Sequence, residues 1–341
     1  MSRQPNLDPF HDDHDGFDRP GRRSRPRTKD RPDYSGLPVG RVVTIDRGRY
    51  HCLVGDTAVT AAKARPLGRK AVIVGDLVHL DADVSGRPGS LARIVQVLAR
   101  TTVLRRTADD DDPFERPIVA NADQLVIVTA LADPEPKMGM IDRVLVAGFD
   151  AGLDPVLCLT KSDLARPDDL MAAYGPLDVA VFVLAPDCDL APLRRRLRDH
   201  VSVLVGHSGV GKSTLVNALI PGADRATAQV SQATGRGRHT STSAIALPLP
   251  AGGWVIDTPG VRSFGLSHVR PDRVVSAISD LAVWAQDCPR GCDHSATAPE
   301  CALDQAVRQG RLSPQRLASF RRIEAAGQER RHDRSAGPTP D

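Results

Sequence analysis

The sequence predicts a multidomain chain in three folded parts: a small all-β barrel, a central α/β domain on a parallel sheet, and a mostly helical module. Short β-branched runs broken by Gly, Asp and Pro fill residues 37–104, continuous apolar strands alternate with helical stretches over 118–270, and helix-like segments over 271–330 flank a cluster of three cysteines and one histidine. Half-buried strands alternate at period two, whereas parallel strands covered on both faces read as unbroken apolar runs. Clustered Cys and His in a chain without a disulfide framework suit metal binding.

Length and composition bound the rest. At 341 residues the chain exceeds the roughly 250 at which single cores stop growing, and 41% hydrophobic with 26% charged residues is ordinary for a globular protein. The formal net charge of +3 is small, but the charges are uneven. Residues 1–36 collect Asp8, Asp12, Asp13, Asp15 and Asp18 ahead of Arg22, Arg23, Arg25, Arg27, Lys29 and Arg31, with no apolar period. Such a segment cannot bury enough surface to fold alone, so it reads as a disordered charged tail, either simply solvated or a polyanion-binding arm. Residues 331–341 read as a second disordered tail. No apolar run approaches the roughly 18 residues that span a bilayer, and no signal-peptide core opens the chain. The expectation is a cytoplasmic protein without a membrane partner. Nothing resembles a dimerisation seam, which favours a monomer.

Taken in order, "GRVVTI", "YHCLVG", "KAVIVGDLVHLDADV" and "ARIVQVLA" suit a five-stranded OB-type barrel, a fold that commonly binds oligonucleotides, with an SH3-like barrel as the alternative. "RRTADDDDPFERP", 105–117, has four successive aspartates and two prolines, so it reads as a linker or mobile loop. The strands "QLVIVTAL", "DPVLCLT", "VAVFVLA", "VSVLVG" and "GWVIDTPG" follow, separated by helical stretches such as "MIDRVLVAGFDAG" and "APLRRRLRDH". In the last helical stretch, Leu317, Phe320 and Ile323 share one face.

The strongest chemical motif is "VGHSGVGKST", 205–214, a G-x-x-x-x-G-K-S loop between the strand "VSVLV" and a helix. Gly206, His207, Ser208, Gly209, Val210 and Gly211 turn backbone N–H groups inward around phosphates, Lys212 reaches the β/γ oxygens, and the Ser213 hydroxyl, followed by Thr214, holds Mg²⁺. "WVIDTPG" supplies the D-x-x-G pattern, with Asp257 for magnesium and the Gly260 amide for the γ-phosphate. Between them lies "QATGRGRHTSTS", where Thr240 or Thr242 is the candidate magnesium-sensing switch residue and Arg236, Arg238 and His239 make the loop basic. Val261 stands just after D-x-x-G and cannot orient water, so hydrolysis needs His239 or a partner.

The tetrapeptide Thr160, Lys161, Ser162 and Asp163 follows a buried strand. The Asp163 carboxylate can accept from both N1–H and N2–H of guanine, and the stem of Lys161 can cover the base; Ala185 is the nearest candidate for a further base contact. The base reader therefore precedes the phosphate reader. Joining the old ends of a nucleotide-binding domain and cutting it elsewhere keeps every contact, so the order reads as a circular permutation. Downstream, "CPRGCDHSATAPEC" offers Cys288, Cys292, His294 and Cys301, four ligands that suit a closed, structural, tetrahedral Zn²⁺ site.

With "TKSD", "GHSGVGKST", "GRGRHTSTS" and "DTPG" in this order, a barrel before them and Cys-Cys-His-Cys after them, the chain resembles the RsgA (YjeQ) family of circularly permuted GTPases from about residue 37 to 325. "IVANADQLVIV", "IDRVLV" and "VGDLV" agree with it. The resemblance implies a GTP hydrolase that uses GTP/GDP with Mg²⁺ and one structural Zn²⁺, binds rRNA, and acts in late maturation of the small ribosomal subunit, which stimulates it. Three departures stand out: Thr160 replaces the usual Asn, His207 sits where Gln is common, and the gaps of the metal loop differ. The alternatives are a nucleotide-gated RNA-binding regulator with negligible turnover and a P-loop ATPase or kinase.

Overall fold

The computed structural model describes residues 33–68, 71–107, 115–177, 179–223, 244–258 and 271–335. Strands β1 (Val39–Asp46), β2 (Arg49–Val54), β3 (Thr57–Lys63), β4 (Leu77–Ala82) and β5 (Ala92–Val97) close into a barrel of order β1-β2-β3-β5-β4. β3 and β5 pair in parallel and every other pair is antiparallel, the five-stranded OB-type arrangement, so the SH3-like alternative is set aside. The period of two is visible in the core, where Val42, Tyr50, Cys52, Val59, Ala61, Val78, Leu80 and Ile94 point inward. At the barrel's exit, fully buried Asp76 accepts from Ile73 N at 2.8 Å and from Arg100 Nε at 2.7 Å and Nη2 at 2.8 Å. Arg100→Ala would strand that carboxylate without its partner, and we expect a loss of about 3 kcal/mol in urea denaturation; a loss below about 0.5 kcal/mol, the ordinary surface value, would show the pair to be dispensable.

The expectation of a structureless linker over 105–117 is corrected at both ends. β6 (Val103–Thr107) and β7 (Glu115–Ala120) form an antiparallel hairpin, with Leu104 opposite Val119. Both residues are buried in the main core, and Ala120 N donates to Val74 O at 2.9 Å. Burial of two apolar side chains outweighs a local composition hostile to strands.

A six-stranded sheet of order β10-β9-β8-β11-β13-β12 forms the centre. Its strands are β8 (Gln124–Ala130), β9 (Asp154–Thr160), β10 (Ala180–Val183), β11 (Val201–Val205), β12 (Ile245–Pro248) and β13 (Trp254–Asp257), all parallel except β12 against β13. Every residue of β8 is buried because helices cover both faces. Leu125 and Ile127 face one core, which includes α1 (Met138–Asp150), while Val126, Val128 and Ala130 face the other, which includes α3 (Ala191–Leu197) and α4 (Lys212–Leu219). The short α2 (Asp168–Tyr174) follows β9. β8, β9 and β10 precede β11 in the chain yet lie on one side of it in the sheet, the spatial form of the rotated order.

The C-terminal module comprises α5 (Pro271–Ser276), α6 (Ser279–Ala285), α7 (Ala302–Arg308) and α8 (Pro314–Ser335), so the helical region runs past the expected boundary at residue 330. Its core is continuous with that of the α1 face, through Val274, Leu281, Leu303, Phe320 and Ile323. Burying Phe320 and Ile323 contributes about 2 kcal/mol each. Polar contacts reinforce the seam: Arg322 lies 4.7 Å over the Tyr174 ring and 3.4 Å from buried Asp142, which accepts from the Tyr174 hydroxyl at 2.9 Å. Burial pushes the Asp142 carboxyl above the usual carboxylate range, against the opposing pull of Arg322.

Candidate functional site

The phosphate loop springs from β11. Gly206 lies so close to β8 that a Cβ there would meet Val128 O at 2.4 Å, and Gly211, at φ 86°, caps α4 in the left-handed conformation. Val210 is buried and anchors the loop, while His207 is half-buried and Ser208, Gly209, Ser213 and Thr214 are exposed. Lys212 opens α4 and its Nζ contacts the Asp257 carboxylate, which β13 delivers beside Leu204 of β11. Only 10% of the lysine side chain and 20% of the aspartate side chain are exposed, so the pair sits in a partly dry cleft. Next to it the Thr258 hydroxyl donates to Leu204 O at 2.6 Å and fixes the end of β13.

The base turn arrives from β9, two strands away. Thr160 is buried, and its hydroxyl lies 2.6 Å from Val210 O and 3.2 Å from Thr129 O. Lys161 adopts φ 56°, a left-handed conformation that costs a non-glycine residue about 1–3 kcal/mol and clusters at ligand clamps. Its Nζ contacts Asp133 O and lies 3.8 Å from that carboxylate. Ser162 N donates to Leu184 O at 3.3 Å, which ties the turn to the loop after β10. Between the turn, that loop and α4 lies a cavity of about 360 Å³, lined by Thr160, Lys161, Ala185, Asp187, Cys188, Gly211, Thr214 and Leu215. This is the size of a small-ligand pocket. Asp163 is exposed in the turn and is not part of the cavity wall.

The structure thus joins the base turn, phosphate loop and Asp257 at one end of the sheet, the C-terminal ends of its parallel strands, where open α/β sheets bind ligands. His239, Thr240, Thr242, Gly260 and Val261, with Arg236 and Arg238, lie outside the described residues. Sequence reasoning missed Asp133, Asp187 and Cys188. The "PDC" that follows Ala185 was the one available signal, whereas Asp133 meets Lys161 only through tertiary placement.

In the C-terminal module, Cys288, Cys292 and His294 come from the loop after α6, and Cys301 caps α7. The donor atoms all lie within 4.8 Å of one another. His294 Nδ1 is 3.5, 3.6 and 3.9 Å from the sulfurs of Cys288, Cys292 and Cys301, and Cys288 is 4.0 Å from Cys301. A tetrahedron with ordinary Zn–S and Zn–N bonds has edges of about 3.5–3.8 Å, so the donor set fits zinc. Ala302 N and His294 N each point at a cysteine sulfur at 3.4 Å. Burial pushes the Cys288 thiol up to about 11 and holds His294 below its usual value, hence neutral and able to ligate. Metal uptake at this cluster displaces thiol protons. Behind it, Arg321 donates to His294 O at 2.9 Å and forms a two-pronged pair with Asp304 at 2.8 and 2.7 Å. That pair orients the loop from outside.

The chain is similar to proteins already known. The RsgA GTPase family model matches residues 97–267. A small ribosomal subunit biogenesis GTPase RsgA of Pseudomonas aeruginosa is 41% identical over 265 residues, which cover 75% of this chain and 76% of that protein. A small ribosomal subunit biogenesis GTPase RsgA 1 of Vibrio vulnificus is 36% identical over 265 residues, 75% of this chain and 74% of that protein. Among solved structures, YjeQ from Thermotoga maritima superposes with a TM-score of 0.62 at 24% identity, covering 84% of this chain and 97% of that one. YloQ, described as a circularly permuted GTPase, also gives 0.62 at 24% identity, over 91% of this chain and 100% of that one.

Proposed function

This chain belongs to the RsgA GTPase family, and from that premise we propose a residue-level account of how it hydrolyses GTP in small ribosomal subunit biogenesis. Family membership sets aside the ATPase, kinase and non-hydrolysing regulator alternatives. The single observation that supports the account is the convergence of Lys212, Asp257 and the base turn around one cleft and one cavity.

Guanine enters the cavity against the Lys161 stem, with the Asp163 carboxylate reaching its N1–H and N2–H donors from the turn at the mouth. The amides of Gly206–Gly211 take the phosphates. Lys212 exchanges its contact with Asp257 for the β/γ oxygens, and Asp257 with Ser213 holds Mg²⁺. The bound ion supplies further neutralisation of the charge that develops as water attacks the γ-phosphate. Thr240 or Thr242 and Gly260 respond to that phosphate. Since Val261 cannot orient water, His239 or a group of the ribosomal subunit does so, and turnover without the subunit is slow.

The small subunit and its rRNA are the proposed partner, with the chain acting as a cytoplasmic monomer. Exposed Arg47, Arg49, Arg87 and Arg93 on the barrel support an RNA contact. Cys288, Cys292, His294 and Cys301 hold one structural Zn²⁺. Among the described residues no helix is long and apolar enough to cross a membrane.

Phosphate release from GTP and ATP, with and without small subunits, tests the account. GTP-selective turnover that rises with subunits is expected, and comparable ATP turnover would overturn the base assignment. Asp163→Ala is expected to weaken GTP binding about a hundredfold, the worth of two hydrogen bonds to a charged group, without changing ATP binding. Unchanged GTP affinity would remove Asp163 from base recognition.

A further inference from the structure

Thr160 stands where the base turn meets the phosphate loop. It is 8% exposed, its Oγ1 lies 2.6 Å from Val210 O and 3.2 Å from Thr129 O, and a Cβ on Gly211 would sit 3.7 Å from that oxygen. Both oxygen neighbours are carbonyls, which only accept. A threonine hydroxyl carries one hydrogen, so the hydrogen goes to Val210 and none is left to point into the cavity.

The other cavity-lining side chains compound this. The Lys161 ammonium is turned to Asp133; Leu184, Ala185, Pro186, Leu190, Leu215 and Ala218 offer no donor, the Asp187 carboxylate only accepts, and the Cys188 thiol is only a weak donor. Thr214 lies on the first turn of α4, at the phosphate end. A guanine presents two different edges: N1–H and N2–H donors on one, and the O6 and N7 acceptors on the other. Recognition of N7 needs an N–H or O–H from the protein.

We propose that Thr160 is a positioning and specificity-determining residue that ties the base turn to the phosphate loop at Val210 and leaves N7 of guanine unread, so that selection rests on the N1/N2 edge. The proposal deepens the GTPase reading above and depends on guanine occupying this cavity. Residue 160 then acts on affinity for any guanine nucleotide through the shape of the phosphate loop, and not through the purine's five-membered ring.

The test compares dissociation constants of GDP, 7-deaza-GDP, IDP and ADP for the full chain. 7-Deaza-GDP, which carries C–H in place of N7, is expected to bind within about twofold of GDP, while IDP, lacking the 2-amino group, is weaker by about tenfold. A loss of about tenfold or more for 7-deaza-GDP, with GDP still preferred over ADP, overturns the proposal and leaves the GTPase reading intact. Equal binding of GDP and ADP would overturn both. Thr160→Val, which keeps shape and loses the hydrogen, is expected to weaken GDP and 7-deaza-GDP equally, by about three- to tenfold, and Thr160→Ser to restore both. Thr160→Asn adds two N–H donors and is expected to open a gap of about threefold or more between GDP and 7-deaza-GDP. Should that variant fail to fold, the ratio measured on the natural chain decides alone.

Discussion

Lys212→Ala is expected to lower subunit-stimulated GTP turnover by about 10²–10³-fold, because it removes one preorganised positive charge from the place where γ-phosphate charge develops. Lys212 is the first residue of α4, its backbone fixed behind the left-handed Gly211, so the side chain needs only to exchange the adjacent Asp257 carboxylate for the phosphate. Single-turnover phosphate release at saturating GTP separates this loss from weaker binding. Turnover within an order of magnitude of the natural chain would remove Lys212 from the mechanism.

Cys301→Ser, or removal of metal by a chelator, is expected to melt the C-terminal helices and lower the unfolding temperature by on the order of 10 °C. Cys301 is 2% exposed, and its loop is the only covalent path between α6 and α7. Because Phe320 and Ile323 share a core with Leu125 and Leu145, the damage spreads to the α1 face of the sheet. Metal analysis together with a thermal melt followed by circular dichroism checks this: one zinc per chain and a lower melt after its removal are expected. A metal-free chain with an unchanged melt would sink the structural role.

How much of this was legible beforehand depends on how local each feature is. The phosphate loop is a strand, a turn and a helix in one stretch of ten residues, and its glycines and lysine can be read directly. The metal ligands lie within fourteen residues, so their chemistry too is local. The hairpin of β6 and β7 was hidden, since its aspartates and prolines argue against strands while the burial of Leu104 against Val119 is decided by the core. The role of Thr160 was hidden for the same reason: its partner carbonyl is Val210, fifty positions away. Leu317, Phe320 and Ile323 announced an apolar face, but nothing in their spacing said that it would close the core of another module. Asp163 carries the chemistry that guanine needs, yet it lies exposed in the turn and outside the cavity wall, a placement that its spacing from Thr160 does not announce.

Adjacent residues of α8 reach in two directions, Arg321 to the metal loop and Arg322 to α1 and α2. The α1 that they help to cover begins at Met138, whereas α8 begins at Pro314. During synthesis, therefore, α1 already lies on the sheet while the apolar residues it shares with α8 wait uncovered until that helix emerges. A nascent chain at that stage is an invitation to chaperones and proteases, and a ribosome that stalls before α8 releases a product with its strands in place and its α1 side unsealed.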